Sequence, residues 1–274
     1  MSEDISRILA DWPYDSQRAS VRIIKGDDGR QRVQLRLDLG LLQMEIDGRP
    51  DGQKVEGFDS WLERYEDLQR SHDAAHPDGP PFVLESDDCG RLLREGVQYY
   101  HRYLSFWYLT RYEWCARDTA RNLRLFTFVR EYARHQHDRL HFDQWRPYVT
   151  MMHARAVATP LIDLGELDAA IKAIEHGVQS IEQFLQQYGQ QAKADAVGEL
   201  VFLKRWRREL LAKLDPDGSM AAETRAEADP IAQLQQKLDQ AIGEERYEDA
   251  ARLRDELSRL TDPPPPSTGL GESL

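Results

Sequence analysis

The C-terminal end of the chain limits its possible folds more than any other segment. Between residues 229 and 260, apolar residues recur at helical spacing in two consecutive sets, and each set forms one narrow stripe. Gly243 and the charged residues that follow it separate the two sets. The pattern predicts two short antiparallel helices. Their apolar positions are Ile231, Leu234, Leu238, Ile242, Tyr247, Ala250, Ala251, Leu253, Leu257 and Leu260.

A helix pair of this size is too small to bury a hydrophobic core of its own. Its apolar stripe must therefore meet a second surface, which lies either elsewhere in this chain or on a partner. We interpret the pair as a docking element for this reason.

The order of residues in this segment is more specific than an amphipathic repeat. It runs Ala241-Ile242, Glu245, Tyr247-Glu248, Ala250-Ala251, Leu253-Arg254-Asp255 and Leu257. This order resembles the UVR motif, the helical hairpin shared by the excision-repair proteins UvrB and UvrC, the Clp-type stress ATPases and the McsA-type adaptors. The alternative interpretation is an antiparallel coiled coil unrelated to that motif.

The resemblance implies a surface for protein–protein contact that carries no catalytic group and no cofactor. The implied partner is another protein with the same motif or a second copy of this chain. Nine acidic residues outnumber five basic ones over residues 229–262, which favours a protein partner over DNA. The residues assigned to partner contact are Leu234, Leu238, Ile242, Tyr247, Glu248, Ala251, Leu253, Arg254, Asp255 and Leu257.

The remaining sequence lacks the catalytic modules that accompany this motif in the proteins it resembles. It contains no G-x-x-x-x-G-K-[ST] phosphate loop, so no ATPase module is predicted, and no nuclease domain of the UvrC type is recognisable. Its two cysteines, Cys89 and Cys115, are far apart, so the paired C-x-x-C zinc motifs of the McsA-type adaptors are absent. The resemblance therefore concerns the motif alone, and we predict no bound metal.

Composition indicates a globular protein outside the membrane. The net charge of −12 argues against general binding to nucleic acid, because a phosphate backbone requires a basic surface. Apolar runs are too short for a membrane span, and the N-terminal residues lack the pattern of a secretory signal. Two cysteines without an evident pairing fit a reducing cytosol, so we expect a cytoplasmic protein.

The centre of the chain has the opposite charge. Residues 88–160 contain twelve arginines, no lysine and seven acidic residues, together with fourteen aromatic residues. One interpretation is a surface that binds phosphate or nucleic acid through ion pairs and stacking. The other is internal packing, in which arginine stems lie on aromatic rings and the guanidinium groups pair with acids.

The chain is predicted to be mainly α-helical with a small N-terminal sheet. Residues 19–25 and 32–39 alternate apolar and polar positions, and Asp28-Gly29 between them suits a tight hairpin turn. The second strand is expected to continue through residues 41–46, with Gly40 as a bulge. A lone hairpin is marginal in water, so it should pack on the helical body. A short helix over residues 58–69 and a loop over 72–81 follow.

Five helices are predicted over residues 86–214, near 86–109, 112–135, 142–164, 167–188 and 193–214. Residues 165–177 resemble the second helix of a tetratricopeptide unit. Small residues at Ala170 and Gly177 would let the two helices of such a pair approach closely. No clear second copy exists, so the resemblance implies one repeat-like pair within a bundle.

Three groups of residues are candidates for chemistry. His137 and His141 are four residues apart, a spacing that suits zinc, although a histidine near a helix end is also favoured without a metal. Cys115 lies near an arginine that would acidify an accessible thiol, but a buried structural cysteine is the simpler interpretation. The third group forms one helical face that either clamps an anion or pins helix packing. It consists of Arg117, Arg121 and Arg124.

The predicted organisation has five parts: residues 1–85 with the β-hairpin, a helical bundle over 86–214, a linker over 215–229, the hairpin over 230–261, and a disordered Pro-rich tail over 262–274. The leading hypothesis is a non-catalytic adaptor in excision repair or in Clp-type protein quality control. The alternative is a ligand-binding protein or enzyme with its site in the Arg–aromatic bundle, in which the hairpin only closes a homodimer.

Overall fold

The computed structural model describes residues 4–214, 230–243 and 246–261. The predicted linker over 215–229 and the predicted Pro-rich tail over 262–274 lie outside the described residues. The chain divides into two compact units, Met1–Gln144 and Trp145–Leu274. The boundary between the two units lies inside the range 86–214 that was predicted as a single bundle.

The first unit begins with a short helix and a three-stranded antiparallel sheet. The elements are α1 (Ser6–Ala10), β1 (Val21–Lys25), β2 (Gln31–Arg36) and β3 (Leu41–Glu45), and β2 is the central strand. Val33 on β2 is opposite Met44 on β3, and both side chains are buried on the face where β2 packs against the helices. The predicted turn between β1 and β2 is present, and its Gly29 has a positive φ of 79°.

The expected continuation of the second strand does not form. The chain reverses after β2, where the Leu37 N–H donates to the Gly40 carbonyl at 2.9 Å, so Gly40 belongs to a second turn and is not a bulge. Residues 41–45 then form a third strand beside the second. The alternation of apolar residues continues through both strands, and for this reason it did not distinguish one bent strand from two short ones.

Four helices complete the first unit: α2 (Trp61–Ala75), α3 (Ser86–Tyr108), α4 (Tyr112–Tyr132) and α5 (Gln136–Asp143). Helix α2 starts where the Ser60 hydroxyl accepts the Glu63 N–H at 3.1 Å, and it includes part of the predicted loop. Helix α3 begins at Ser86, as predicted, and Glu85 caps it by forming a capping box with Asp88.

Helix α4 ends three residues before the predicted position because its last residues pair with an earlier segment. The Leu84 N–H donates to the Tyr132 carbonyl at 2.8 Å, and the Arg134 N–H donates to the Leu84 carbonyl at 3.0 Å. These hydrogen bonds form a β-bridge between Leu84 and Ala133, so the backbone is no longer helical after Tyr132. A separate short helix, α5, follows. The apolar side chains buried between these helices include Leu62, Leu84, Leu92, Phe106, Leu125, Val129 and Phe142.

The second unit contains α6 (Arg146–Asp163), α7 (Leu167–Gln187), a 3-10 helix (Gln191–Ala196), α8 (Gly198–Leu214), α9 (Pro230–Gly243) and α10 (Tyr247–Thr261). Pro147 lies in the first turn of α6, where its missing N–H removes no intrahelical hydrogen bond. The predicted fifth helix begins five residues late because the 3-10 helix occupies its expected start. No described helix combines the length and the hydropathy needed to cross a bilayer.

Small residues bring α6, α7 and α8 close together. An ideal Cβ built on Gly177 of α7 would lie 2.9 Å from the Ala154 Cβ of α6 and 3.1 Å from the Leu203 Cδ1 of α8. Ala154, Ala170 and Leu203 are fully or almost fully buried in this core. The close approach that was expected at Gly177 is therefore present, while the tetratricopeptide resemblance stays a prediction.

We predict that Gly177→Ala destabilises the second unit by about 1–3 kcal/mol, because the added methyl overlaps a neighbour that has no rotatable bond to relieve the clash. Gly96→Ala is the matched control within α3. Its added Cβ meets only Leu125 Cδ2 at 3.9 Å, an ordinary contact, so it should stabilise the chain by about 0.5–1 kcal/mol through helix propensity. Calorimetric melting of both variants shows whether each substitution raises or lowers the stability of the protein. A Gly177→Ala protein more stable than the unaltered chain would contradict the close packing at Gly177.

Candidate protein-interaction site

Helices α9 and α10 form the predicted C-terminal hairpin. Pro230 is the first residue of α9, where its missing N–H removes no intrahelical hydrogen bond, and α9 ends at Gly243. Helix α10 has Glu248 and Asp249 in its first turn, where acidic groups are favoured. The Arg246 guanidinium donates to Asp249 at 2.9 Å, and this hydrogen bond lowers the pKa of the Asp249 carboxyl.

The apolar stripe of the hairpin is divided into two clusters. The loop-end cluster, beside the connection of the two helices, consists of Leu238, Ala241 and Ala250, with Leu253 packed against it. All of its members belong to the hairpin. This half of the stripe is therefore buried by the pairing of α9 with α10.

The second half of the stripe is buried against another helix. The open-end cluster, at the free ends of the two helices, contains Ile231, Leu234 and Leu260 of the hairpin together with Val201 of α8, and the half-buried Leu253 and Leu257 pack against it. The second surface that the stripe required is thus provided, at this end, by α8 of the same chain.

Val201 was not among the residues singled out from the sequence. A usable signal was present, because α8 carries adjacent apolar residues at Leu200 and Val201, and neighbouring positions on a helix point about 100° apart. Leu203 of α8 meets α7, whereas Val201 meets the hairpin. Two apolar directions on one helix indicate two packing partners.

The residues predicted to contact a partner lie on two different surfaces of the hairpin. Leu234 and Leu238 are buried, and Leu253 and Leu257 are half-buried in the two clusters. The side chains of Ile242 and Tyr247 lie outside the described residues. The exposed members all lie on α10, and they are Glu248, Ala251, Arg254 and Asp255.

Residues 229–261 match the family model of the UvrB/uvrC motif. The match covers α9 and α10 and does not include the other helices or the sheet. No curated protein and no solved structure matches the chain. The UVR motif occurs in UvrB, UvrC and Clp-type proteins, and its presence here fits a role in protein–protein interaction.

The three arginines considered as an anion clamp all contact acidic groups of the first unit. Arg117 donates to Asp47 at 2.7 Å and to Asp118 at 3.0 Å. Arg121 pairs with the fully buried carboxylate of Glu95. Arg124 pairs with Glu66 at 3.2 Å. Their guanidinium charges are thereby compensated within the protein, and binding of an external anion by this set stays a prediction.

A fourth arginine, which the sequence did not single out for a site, anchors this network. Arg102 and Asp118 are each about 1% exposed and form a bidentate pair with N–O distances of 2.6 and 3.0 Å. Arg102 Nη1 also donates to two backbone carbonyls, those of Glu45, the last residue of β3, and of Gly48, which lies in the turn after it. The pair therefore ties α3 to α4 and to the sheet.

Glu95 performs the same structural task at the start of α2. Its carboxylate accepts the backbone N–H groups of Trp61 at 2.7 Å and Leu62 at 3.2 Å, two of the donors that a helix N-terminus leaves unsatisfied. With Arg121 as its ion-pair partner, the buried carboxylate is both hydrogen-bonded and neutralised.

The histidines and cysteines do not assemble a reactive site among the described residues. His137 is largely exposed, its ring lies 5.9 Å from that of His141, and no group of three or more metal-ligating side chains occurs in the part of the chain that the structure describes. Neither Cys89 nor Cys115 forms a disulfide, and both are buried. Burial raises the pKa of the Cys89 thiol to about 12, so this group remains protonated at neutral pH.

One open cavity of about 490 Å³ lies in the first unit, beside the end of β3. Its wall carries the cations Arg30, Arg49 and Lys54 and the anions Glu45, Asp47 and Asp59, with Trp114 on one side. Opposite charges are balanced in number, so the wall has no net preference for a phosphate over a cation.

We predict that Arg102→Ala destabilises the first unit by about 3–5 kcal/mol, because it leaves the buried Asp118 carboxylate without its main partner. Arg124→Ala is the matched control, since Arg124 is about half exposed and its pair with Glu66 should contribute less than about 1 kcal/mol. Denaturant unfolding followed by helical circular dichroism measures both losses. Equal, small losses would show that the buried pair does not organise the unit.

Proposed function

We propose that this protein is a non-catalytic adaptor that binds other proteins through its UVR hairpin. The observation that carries the proposal is the match of residues 229–261 to the UvrB/uvrC motif on a helix pair at the end of the second unit. The partner that best fits is a protein with the same motif or a second copy of this chain. The corresponding processes are excision repair and Clp-type protein quality control.

The exposed side of α10 carries charged residues that could select a partner protein by its charge. Arg254 and Asp255 are 71% and 63% exposed at their side chains, and Glu248 and Ala251 are exposed on the same helix. Charged groups at the edge of an interface contribute more to partner choice and to association rate than to affinity. Ala251 leaves room for a second helix to approach between these charges.

The alternative function is ligand binding in the Arg–aromatic region of the first unit. Its specific support is the cavity beside β3, whose wall includes Arg49 and Trp114. The compensated charges of Arg117, Arg121 and Arg124 give this alternative less support than the hairpin has.

We predict that truncation after Leu214 abolishes capture of partner proteins, because it removes the whole UVR hairpin. In the intact chain, Arg254→Glu combined with Asp255→Arg should weaken capture at least about tenfold, since it inverts both exposed charges. The matched control is Glu209→Ala, an exposed position on α8 outside the motif, which should bind as the unaltered chain does. Quantitative pull-down with identified partners measures all four proteins.

Capture that survives the truncation would refute the adaptor function of the hairpin. If the truncated chain also retained binding of inorganic phosphate or a nucleotide, measured by calorimetry, that result would favour the ligand-binding alternative.

We predict that Leu238→Asp unfolds the hairpin and leaves α6, α7 and α8 folded. Leu238 is 9% exposed in the loop-end cluster, and burying an unpaired carboxylate there costs several kcal/mol. Amide hydrogen exchange should show lost protection in α9 and α10 with unchanged protection in α6 and α7. Loss of protection throughout the second unit would instead make the hairpin an integral part of that unit's core.

A further inference from the structure

The two apolar clusters of the hairpin differ in whether a residue outside the hairpin takes part in them. The loop-end cluster is made by α9 and α10 alone, whereas the open-end cluster is completed by Val201 of α8. If the hairpin left α8, the loop-end cluster would keep its contacts and the open-end cluster would lose its cover. The packing of α9 on α10 in the loop-end cluster therefore does not depend on the contact with α8.

The open-end cluster contains residues that the UVR pattern assigns to partner contact. Leu234 is buried in this cluster, and Leu253 and Leu257 are half-buried against it. While the hairpin lies on α8, a partner helix has no access to the buried part of this stripe. The docked arrangement and any partner contact through the stripe exclude each other.

Val201 is the one buried apolar side chain that α8 adds to the open-end cluster, within the part of the chain that the structure describes. The closed contact buries Val201 together with the part of the open-end cluster that faces it, so a partner that covers the same cluster must compete with α8. Docking lowers the apparent affinity of the stripe for a partner, because only the chains whose hairpin has left α8 can bind one.

We infer that α8 and the UVR hairpin form an intramolecular latch. In the closed state Val201 covers the open-end cluster, and in the open state the hairpin leaves α8 as an intact helix pair with Leu257 and its neighbours accessible. The use of the open state for partner binding rests on the proposed function, whereas the latch itself rests only on the two clusters.

Thiol labelling in the full-length chain tests the latch directly. Leu257→Cys reports on the open-end cluster, Ala250→Cys reports on the loop-end cluster, and Ser258→Cys is the matched control on the exposed side of α10. Each is combined with Val201→Asp, which places a carboxylate in the closed contact. The native Cys89 and Cys115 are buried, so the unsubstituted chain gives the background rate.

We expect Val201→Asp to speed maleimide labelling of Leu257→Cys at least about tenfold, because it favours the open state. Labelling of Ala250→Cys should not change, and Ser258→Cys should react quickly in both backgrounds. An unchanged rate at Leu257→Cys would overturn the latch, because the contact with Val201 would then not cover the cluster. Faster labelling at both Leu257→Cys and Ala250→Cys would also overturn it, since release would then unfold the hairpin.

Val201→Ala serves if Val201→Asp disturbs the bundle, as judged by amide protection of α6 and α7. It removes two methyl groups without adding a charge and should produce a smaller acceleration in the same direction. These readouts involve no partner. A chain that labels as expected but captures no protein would refute the proposed function and leave the latch standing.

Discussion

Helix α8 packs apolar side chains in two directions, and the arrangement of the second unit depends on this. On one side Leu203 meets Gly177 at the close approach of α6 and α7. On another side Val201 completes the open-end cluster of the UVR hairpin. The pairing of α9 with α10 buries only the loop-end half of the stripe, and α8 covers the open-end half. The hairpin is thus connected to the bundle by the same type of interaction that a partner protein would use.

The first unit is organised by buried charges as much as by apolar packing. Arg102 with Asp118, and Arg121 with Glu95, join helices to one another and to backbone groups of the sheet and of α2. Each buried charge has an opposite charge and further hydrogen bonds, which is the condition under which such groups are tolerated. The arginine-rich and aromatic centre of the sequence is explained to this extent by internal pairing, with rings such as Tyr99 lying against Arg102 and Arg121.

Several features could be predicted because they depend on neighbours along the chain. The helical period predicted α3, α6, α7 and the UVR pair, and the order of residues around Leu253-Arg254-Asp255 identified the motif. Other features depended on distant residues. The early end of α4 results from pairing with Leu84, and the third strand results from a reversal at Gly40 that alternation alone does not show. The role of Arg102 required knowledge of which acid lies opposite it in space.

The sequence by itself determined that the chain is mainly helical, that its C-terminal helices form a UVR hairpin, and that this hairpin needs a further surface. Spacing and residue type along the chain are sufficient for these conclusions, because helix formation and motif identity are local properties. Only the tertiary structure decided that Val201 of α8 is part of that surface and that the Arg117–Arg124 face is matched by the chain's own carboxylates. Such pairings are set by how helices cross, and residues far apart in the sequence meet only after the bundle has packed.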